Sequence, residues 1–292
     1  MGGPVEDFEE QRPRLLGLAY RMLGEVQEAE DAVQDAYLRW SGADGVEDPR
    51  AWLTRVVTNL CLNRLTSARA RRETYPGPWL PEPADPAVLG PLETAAQRES
   101  VSLALLALME SLTPSERAVF VLREAFAYPH AEIAAILDVS EPASRQLYRR
   151  ARRHVGERRF APGREEARRL VERFLEAAAG GDVAGLERLL AEDVVAWSDG
   201  GGKVSSARRP VRGREKVARY LLGLASRVAV LDEIAITEVN GAPAVVGRMA
   251  GEAAFVLVPA WSGAEAVAFH TVVNPEKLRS LSRSGGPPGP SQ

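Results

Sequence analysis

Residues 113–159 read TPSERAVFVLREAFAYPHAEIAAILDVSEPASRQLYRRARRHVGERR, and their start and stop signals decide the architecture of this stretch. Thr113-Pro114-Ser115-Glu116 is a capping box with proline at the first helical position. A short helix follows, then a tight Asp138-Val139 turn, and Ser140 can cap an Arg-rich helix after it. That order is a helix-turn-helix whose second helix carries positive charge where DNA would lie.

On a helical wheel the 141–155 helix divides in two. Ala143, Leu147, Tyr148, Ala151 and Val155 share one side; Arg145, Gln146, Arg149, Arg152 and Arg153 share the other. Arginine suits both phosphate contacts and bidentate contacts to guanine edges. An ordinary solvated basic face has the same composition, but the capped turn before it favours DNA. Arg145, near the helix start, is placed to approach bases, and the later arginines to hold phosphate.

The charge outside this helix is unevenly spread. The 292-residue chain carries a net charge of −3 and 45% apolar residues, an ordinary globular composition. Residues 55–72 hold five arginines and no acid, +5; residues 141–159 hold seven arginines against Glu141 and Glu157, again +5. Residues 25–40 hold five acids against Arg39, −4. Two basic patches and one acidic patch imply two kinds of partner. The single Cys61 excludes an intrachain disulfide and fits a reducing cytosol, so a cytoplasmic location is expected. The acidic MGGPVEDFEE start lacks the apolar core of a signal peptide, and no apolar run is long enough to span a membrane.

Helical spacing is expected over 5–72: one helix ending at Gly24, an acidic helix over 25–40, and a third starting at Asp48-Pro49. Residues 73–92 hold Pro76, Pro78, Pro81, Pro83, Pro86 and Pro91, which favour an extended, stiff linker; the apolar Trp79-Leu80 within it is unusual for a bare spacer. Helices resume at about Glu93 and run to Arg159. A helix over 164–181 and another over 214–225 accompany β-rich runs at 194–197, 229–237, 244–248, 253–258 and 267–273. The expected organisation is a helical domain over 1–73, a Pro-rich linker over 74–92, a second helical domain over 93–160, an α+β domain over 161–281 and a disordered tail over 282–292.

The 50–66 helix shows a polar stripe of Arg55, Asn59, Asn63 and Thr66 with Trp52 nearby, and Arg64, Arg69, Arg71 and Arg72 extend its charge. Amides and aromatics beside a basic strip suit unstacked, single-stranded bases. Polar residues facing water with Trp52 in the core account for the same pattern, and from composition alone that reading is the better one. The acidic 25–40 helix lacks metal-ligand spacing; its charges suit a solvated face or a basic partner protein.

These segments together resemble a known family. EAEDAVQDAYLRW at 28–40 with PRAWLTRVVTNLCLNRLTSARARRE at 49–73 looks like region 2 of an extracytoplasmic-function sigma factor. LTPSERAVFVLREAFAYPHAEIAAILDVSEPASRQLYRRARRHV at 112–155 looks like region 4. GPWLPEP at 77–83, SDGGGKVSSARRPVRG at 198–213 and NPEKL at 274–278 resemble a subgroup with a fused SnoaL-like domain, the sigma factor J type. Two departures are visible: Asp138 stands where relatives often have glycine, and Glu276 where aspartate is commoner.

The resemblance implies two all-α sigma domains, the second with a helix-turn-helix, plus a C-terminal α+β SnoaL-like cone. It implies that Glu28, Asp31, Gln34, Asp35, Arg39 and Trp40 dock on the β′ clamp of core RNA polymerase. Trp52, Arg55, Asn59, Asn63, Arg64, Arg69, Arg71 and Arg72 would melt and read the minus-ten element. Ser144, Arg145, Gln146, Arg149, Arg152 and Arg153 would read the minus-thirty-five element. The two weak DNA sites, joined through polymerase, then explain why a chain of negative net charge need not bind DNA well alone.

The C-terminal domain would regulate the sigma domains in cis. Trp79, Leu80 and Pro81 bear apolar surface that a free linker would expose, and burying such side chains is worth ~1.5–3 kcal/mol each. The linker is therefore expected to dock near Asp199, Gly200, Gly201, Gly202 and Lys203, or near the Asn274, Pro275 and Lys277 turn. No catalytic residue, cofactor or metal site is implied: His270 and Asp232 are isolated and read as structural. Asp199–Lys203 lacks the spacing of a phosphate loop and reads as a glycine turn. A small ligand of the domain's pocket is conceivable from its relatives. The alternatives are a helix-turn-helix regulator with a ligand-sensing domain, which leaves 25–72 unexplained, and a working isomerase or hydrolase, which lacks an acid/base set.

Overall fold

The computed structural model describes residues 4–85, 89, 95–156 and 162–282. It divides into two compact units, Met1–Thr74 with Pro86–Glu157, and Tyr75–Asp85 with Arg158–Gln292. The expected tail from 283 onward and the expected linker residues 86–88 and 90–92 lie outside the described residues.

The first unit is helical. Helix α1 (Pro4–Leu23) stops at Gly24, whose φ of +74° costs glycine nothing and lets its N–H bond Tyr20 O at 2.8 Å. Helix α2 is Val26–Trp40, and α3 is Pro49–Glu73, started by the Asp48 side chain accepting from Ala51 N at 3.0 Å. Leu15, Leu18, Tyr20, Ala29, Leu53 and Val57 are fully enclosed where the three helices meet.

Helices α4 (Ala95–Val101) and α5 (Leu103–Met109) lead to the helix-turn-helix, α6 (Pro114–Glu124), α7 (His130–Leu137) and α8 (Glu141–Val155). The capping box at Thr113 has both arms: Glu116 N donates to Thr113 Oγ1 at 3.3 Å, and Thr113 N donates to Glu116 Oε2 at 3.0 Å. Asp138 takes the left-handed conformation, φ 54° and ψ 49°, that closes α7. Asp tolerates this region better than most side chains, so the turn survives without glycine. Ser140 then caps α8 through Ala143 N at 3.3 Å.

The two helical halves are not independent. Helix α6 packs on α1 and α3, and α7 packs on α3. Arginines mark the joint. Arg14 donates to Thr54 Oγ1 at 2.9 Å and to the Tyr128 hydroxyl, and Arg21 donates to Ser100 Oγ at 2.9 Å. Arg14 and Arg21 also face the Phe126 ring, at 5.2 and 5.4 Å from its centroid.

The second unit is α+β. In chain order it has α9 (Arg164–Ala179), α10 (Val183–Leu189), β1 (Leu190–Asp199), β2 (Val211–Arg212), α11 (Arg214–Ala225) and β3 (Glu233–Val239). Strands β4 (Ala242–Met249), β5 (Glu252–Ser262) and β6 (Glu265–Val272) precede α12 (Arg279–Ser282). The sheet order is β2-β1-β6-β5-β4-β3, with β1 and β6 parallel and the other pairs antiparallel. One face of the sheet joins α9–α11 in a core of Phe174, Leu186, Val217, Leu257, Trp261 and Phe269. The Phe174 and Phe269 rings pack 5.2 Å apart.

Three expectations change. The run at 229–237 is not one strand: Val228–Val230 is a 3-10 turn and β3 starts only at Glu233. Helix α10, capped by Asp182 through Gly185 N at 2.8 Å, and the two-residue β2 carry too little pattern to be read from sequence. The third concerns Tyr75–Asp85. This segment is part of the α+β unit, and Leu80, Pro81, Glu82, Pro83 and Ala84 are buried. It is a strap laid on that unit, the domain on which the linker is expected to dock; what differs from the expected organisation is that 75–85 counts as part of the α+β unit.

Candidate functional site

On α8 the arginine face is open: Arg145, Gln146, Arg149, Arg152 and Arg153 are all exposed. Gln146, Tyr148, Arg149, Arg152 and Arg153 line a shallow groove of about 350 Å³. Ser144 corrects the sequence reading. It is 0% exposed, turned inward so that its Oγ meets His130 Nδ1 at 2.9 Å. It cannot reach a base from there; it fastens α8 to α7. The Tyr148 hydroxyl donates to Glu124 on α6, and Glu124 also faces Arg152 at 3.8 Å. Polar contacts from α6 and α7 therefore set how α8 presents its arginines.

On α3, Arg55 and Asn63 are exposed and Asn59 and Trp52 are half-buried. Two of the expected DNA-facing arginines are otherwise engaged. Arg64 donates to Glu28 Oε2 at 2.8 Å and to Asp35 Oδ2 at 2.7 Å. Arg72 is paired with Glu110, donates to Leu23 O at 2.9 Å and lies 3.4 Å from Glu25 Oε1. With its side chain 15% exposed, Arg72 is unavailable to DNA in this arrangement. The Arg69 and Arg71 side chains lie outside the described ones.

Glu110 was missed by sequence reasoning. It joins Arg72 of α3 to Arg117 of α6, and the Arg117 side chain is 2% exposed. Nothing local marks Glu110; only the fold brings its two partners to it.

On α2, Gln34 and Arg39 are exposed and Asp31 is half-buried, bonded to Gln27 at 3.1 Å. Glu28 and Asp35 are the partners of Arg64. Trp40 is corrected: it is 6% exposed, packed 5.6 Å from the Trp52 ring, and serves the core. Leu38, 63% exposed, was missed, although its i+4 spacing from Gln34 and i+7 from Asp31 puts it on their stripe.

The strap converges on one carboxylate. Asp199, 0% exposed, ends β1. Its Oδ1 accepts from the Tyr75 hydroxyl at 2.7 Å and from Gly201 N at 3.0 Å. Its Oδ2 accepts from Leu80 N at 2.9 Å and Lys277 Nζ at 2.8 Å. Lys277 also donates to Leu80 O, and its ammonium lies 4.0 Å from the Trp79 ring centroid and 5.0 Å from that of Tyr75.

Asn274 Nδ2 donates to the Tyr75 hydroxyl at 3.0 Å while its Oδ1 takes Glu276 N at 3.1 Å, starting the Pro275 turn. Gly201 and Gly202, with φ of +60° and +71°, bring the loop against Asn274 and Pro76, where a Cβ would stand 2.4 Å from Asn274 Nδ2 and 2.7 Å from Pro76 Cγ. Lys203 pairs with Glu276 across the two turns. At the far end Ala84 N donates to Asn240 Oδ1 at 2.9 Å, Asn240 N donates to Ala84 O at 3.0 Å, and Ser280 Oγ donates to Pro83 O at 3.0 Å. Tyr75 and Asn240 were not read from the sequence, though Asn240-Gly241 is a hairpin-turn pair.

Neither isolated chemical candidate is equipped for catalysis. His270 is 4% exposed and burial pushes its pKa down to about 4. Asp232 is exposed and caps the turn at Ala250 N. Among the described residues no group of His, Cys, Asp and Glu could hold a metal ion, and no helix is long and apolar enough to cross a membrane.

Known proteins share this combination. The profile of Sigma-70 region 2 matches residues 8–71, that of Sigma-70, region 4, residues 102–155, and that of a SnoaL-like domain, residues 171–274. The Mycobacterium tuberculosis ECF RNA polymerase sigma factor SigJ is 44% identical over 232 residues, 76% of this chain and 73% of that one. The chain belongs to the ECF RNA polymerase sigma factor family. The probable ECF sigma factor SigI of the same organism is 34% identical over 92% of this chain and 93% of its own. The crystal structure of M. tuberculosis SigJ superposes with a TM-score of 0.77 at 35% identity, covering 94% of this chain and 98% of that one.

As an ECF sigma factor the chain directs core RNA polymerase to promoters. The region 2 and region 4 profiles cover α1–α3 and α5–α8. The strap lies between them and outside all three profiles, while Asp199, Asn240 and Asn274 fall within the SnoaL-like one.

Proposed function

We propose that this ECF sigma factor is regulated in cis: the α+β unit clamps the strap that connects its two DNA readers, and those readers are held together until polymerase and promoter separate them. The observation that carries this reading is the buried Asp199 carboxylate, which collects Tyr75, Leu80 and Lys277 at once.

Distances explain why such a device matters. Promoter elements at minus ten and minus thirty-five lie roughly 25 base pairs apart, about 85 Å at 3.4 Å per pair. Helices packed against one another cannot read both. The α2 face of Asp31, Gln34 and Leu38 docks on the polymerase clamp, Arg55, Asn59 and Asn63 face the minus-ten strand, and α8 takes the minus-thirty-five duplex. Opening the helical unit frees Arg72 from Glu110 to join the minus-ten group. With the strap docked, only residues 86–94 remain between it and Ala95, a contour of about 30 Å. Releasing the strap lengthens the reach. The chain works by binding, in the cytoplasm, where polymerase and chromosome are.

Transcription by the holoenzyme from promoters whose spacers differ by one to three base pairs tests this. The wild-type chain should accept a narrow range, and Asp199→Ala, which removes the strap's anchor, a wider one. Identical spacer profiles would contradict strap control.

A further inference from the structure

We infer that the β2 edge of the α+β unit is a third phosphate-binding surface, holding the backbone of promoter DNA without reading bases; this rests on the sigma-factor reading above. Residues 203–219 hold Lys203, Arg208, Arg209, Arg212, Arg214, Lys216 and Arg219 against Glu215 alone, seven against one, +6. Each basic segment of the DNA-reading helices holds +5.

Four of the seven basic residues at this edge are not spent within the fold. Lys203 pairs with Glu276, Arg214 with Glu265 and Arg219 with Glu215. Arg208, Arg209, Arg212 and Lys216 are exposed and have no carboxylate partner among the described residues. Helix α9 of the same unit shows the contrast: its four arginines meet four glutamates, net zero. Arg212 is held in place by lying over the Trp197 ring, 5.9 Å from its centroid. Arg208 lies beside the strap, its Cα 3.7 Å from where a Gly77 Cβ would stand.

The chemistry selects the partner. Protein interfaces are depleted of charge at their centres, whereas exposed arginines without an apolar centre suit a row of phosphates. The patch lies on a loop, a two-residue strand and the first turn of α11, and so offers no element to enter a groove and read base edges. Arg212 lies over the Trp197 ring and takes up a face on which a single strand would stack. The covalent path is short: eight residues separate Val155, the end of the reading helix, from Arg164, a span of at most about 30 Å. DNA bound to α8 is thus tethered by a short connection to the unit that carries this edge.

The test uses the full chain with core polymerase and measures equilibrium promoter binding over a series of salt concentrations. R208Q/R209Q/R212Q/K216Q should lower the slope of log K against log salt by about two to four, at about 0.9 per phosphate lost, and weaken binding about tenfold at 0.1 M salt. R208K/R209K/R212K, which preserves charge, should keep the slope, and R169Q/R173Q on neutral α9 controls for net charge and should keep it too. An unchanged slope for the quadruple variant overturns the proposal. So does an unchanged slope with weakened core binding, which assigns the edge to an acidic protein surface. A wild-type holoenzyme that binds no promoter at any salt removes the sigma reading itself, and this proposal with it.

Discussion

Lys277 Nζ stands 2.8 Å from Asp199 Oδ2, with side-chain exposures of 9% and 0%. An ion pair so enclosed is costly to form and costlier to halve, because the surviving charge stays buried. Here both partners also bind the strap, so strap docking completes their coordination. The pair registers whether Tyr75–Asp85 is in place.

Replacing Lys277 by Met should therefore destabilise the α+β unit by about 3–5 kcal/mol. Adding Asp199→Asn should return part of that loss. Urea denaturation of the full chain, followed by tryptophan fluorescence, gives the double-mutant coupling. Additive losses would show that the two groups are not coupled.

Trp79→Ala removes the ring beneath the Lys277 ammonium, worth about 2 kcal/mol when desolvated. Trp79 lies on the strap, outside the core cluster that holds the α+β unit together, so the change should loosen the strap more than the fold. Limited proteolysis should cut within residues 75–85 several times faster, while the thermal midpoint moves little. Equal cutting rates would deny Trp79 an anchoring role.

Cys61 is 0% exposed, and burial pushes its thiol up to about 12, so it should resist thiol reagents in the native chain. Glu110→Ala leaves Arg72 and the buried Arg117 without their shared carboxylate. A loss of even ~1.5–3 kcal/mol from this network should speed Cys61 labelling by one to two powers of ten. An unchanged labelling rate would mean that Glu110 does not hold the helical unit shut.

His270 supplies a pH dependence. Its pKa in the fold, about 4, lies below the ordinary 6.5 because burial disfavours the imidazolium. Below pH 6.5 the unfolded chain takes up a proton that the fold refuses. The full stability is present above 6.5 and falls as pH drops towards 4, by about 3 kcal/mol at most. His270→Leu should flatten this part of the urea-midpoint profile between pH 7 and 4.5; a profile as steep as wild type would contradict it.

The sequence states local features clearly. Thr113, Asp138 and Ser140 mark their turns because capping and left-handed positions depend on nearby residues alone. The arginine face of α8 is visible for the same reason. Ser144 and Trp40 show the limit: each shares a stripe with exposed neighbours, and only three-dimensional packing turns it inward. Arg64 and Arg72 show another, since a charge count cannot tell a free cation from one already paired across the fold. The strap is a third case. Trp79-Leu80 signals hidden apolar surface, and Asp199 and Asn274 are within reach because their loops resemble those of a known subgroup; Asn240, more than 100 residues from its partner Ala84, lies beyond any local pattern.

The most direct test of a closed helical unit that opens on the promoter is one distance. Dyes at Asn63 on α3 and Arg149 on α8, in a Cys61→Ala background, report the separation of the two readers by energy transfer. In the free chain it should be under about 40 Å, the breadth of a compact unit of this size. In the complex with core polymerase and promoter it should exceed about 60 Å, as elements some 85 Å apart along the duplex require. The same short distance in both states would contradict the account.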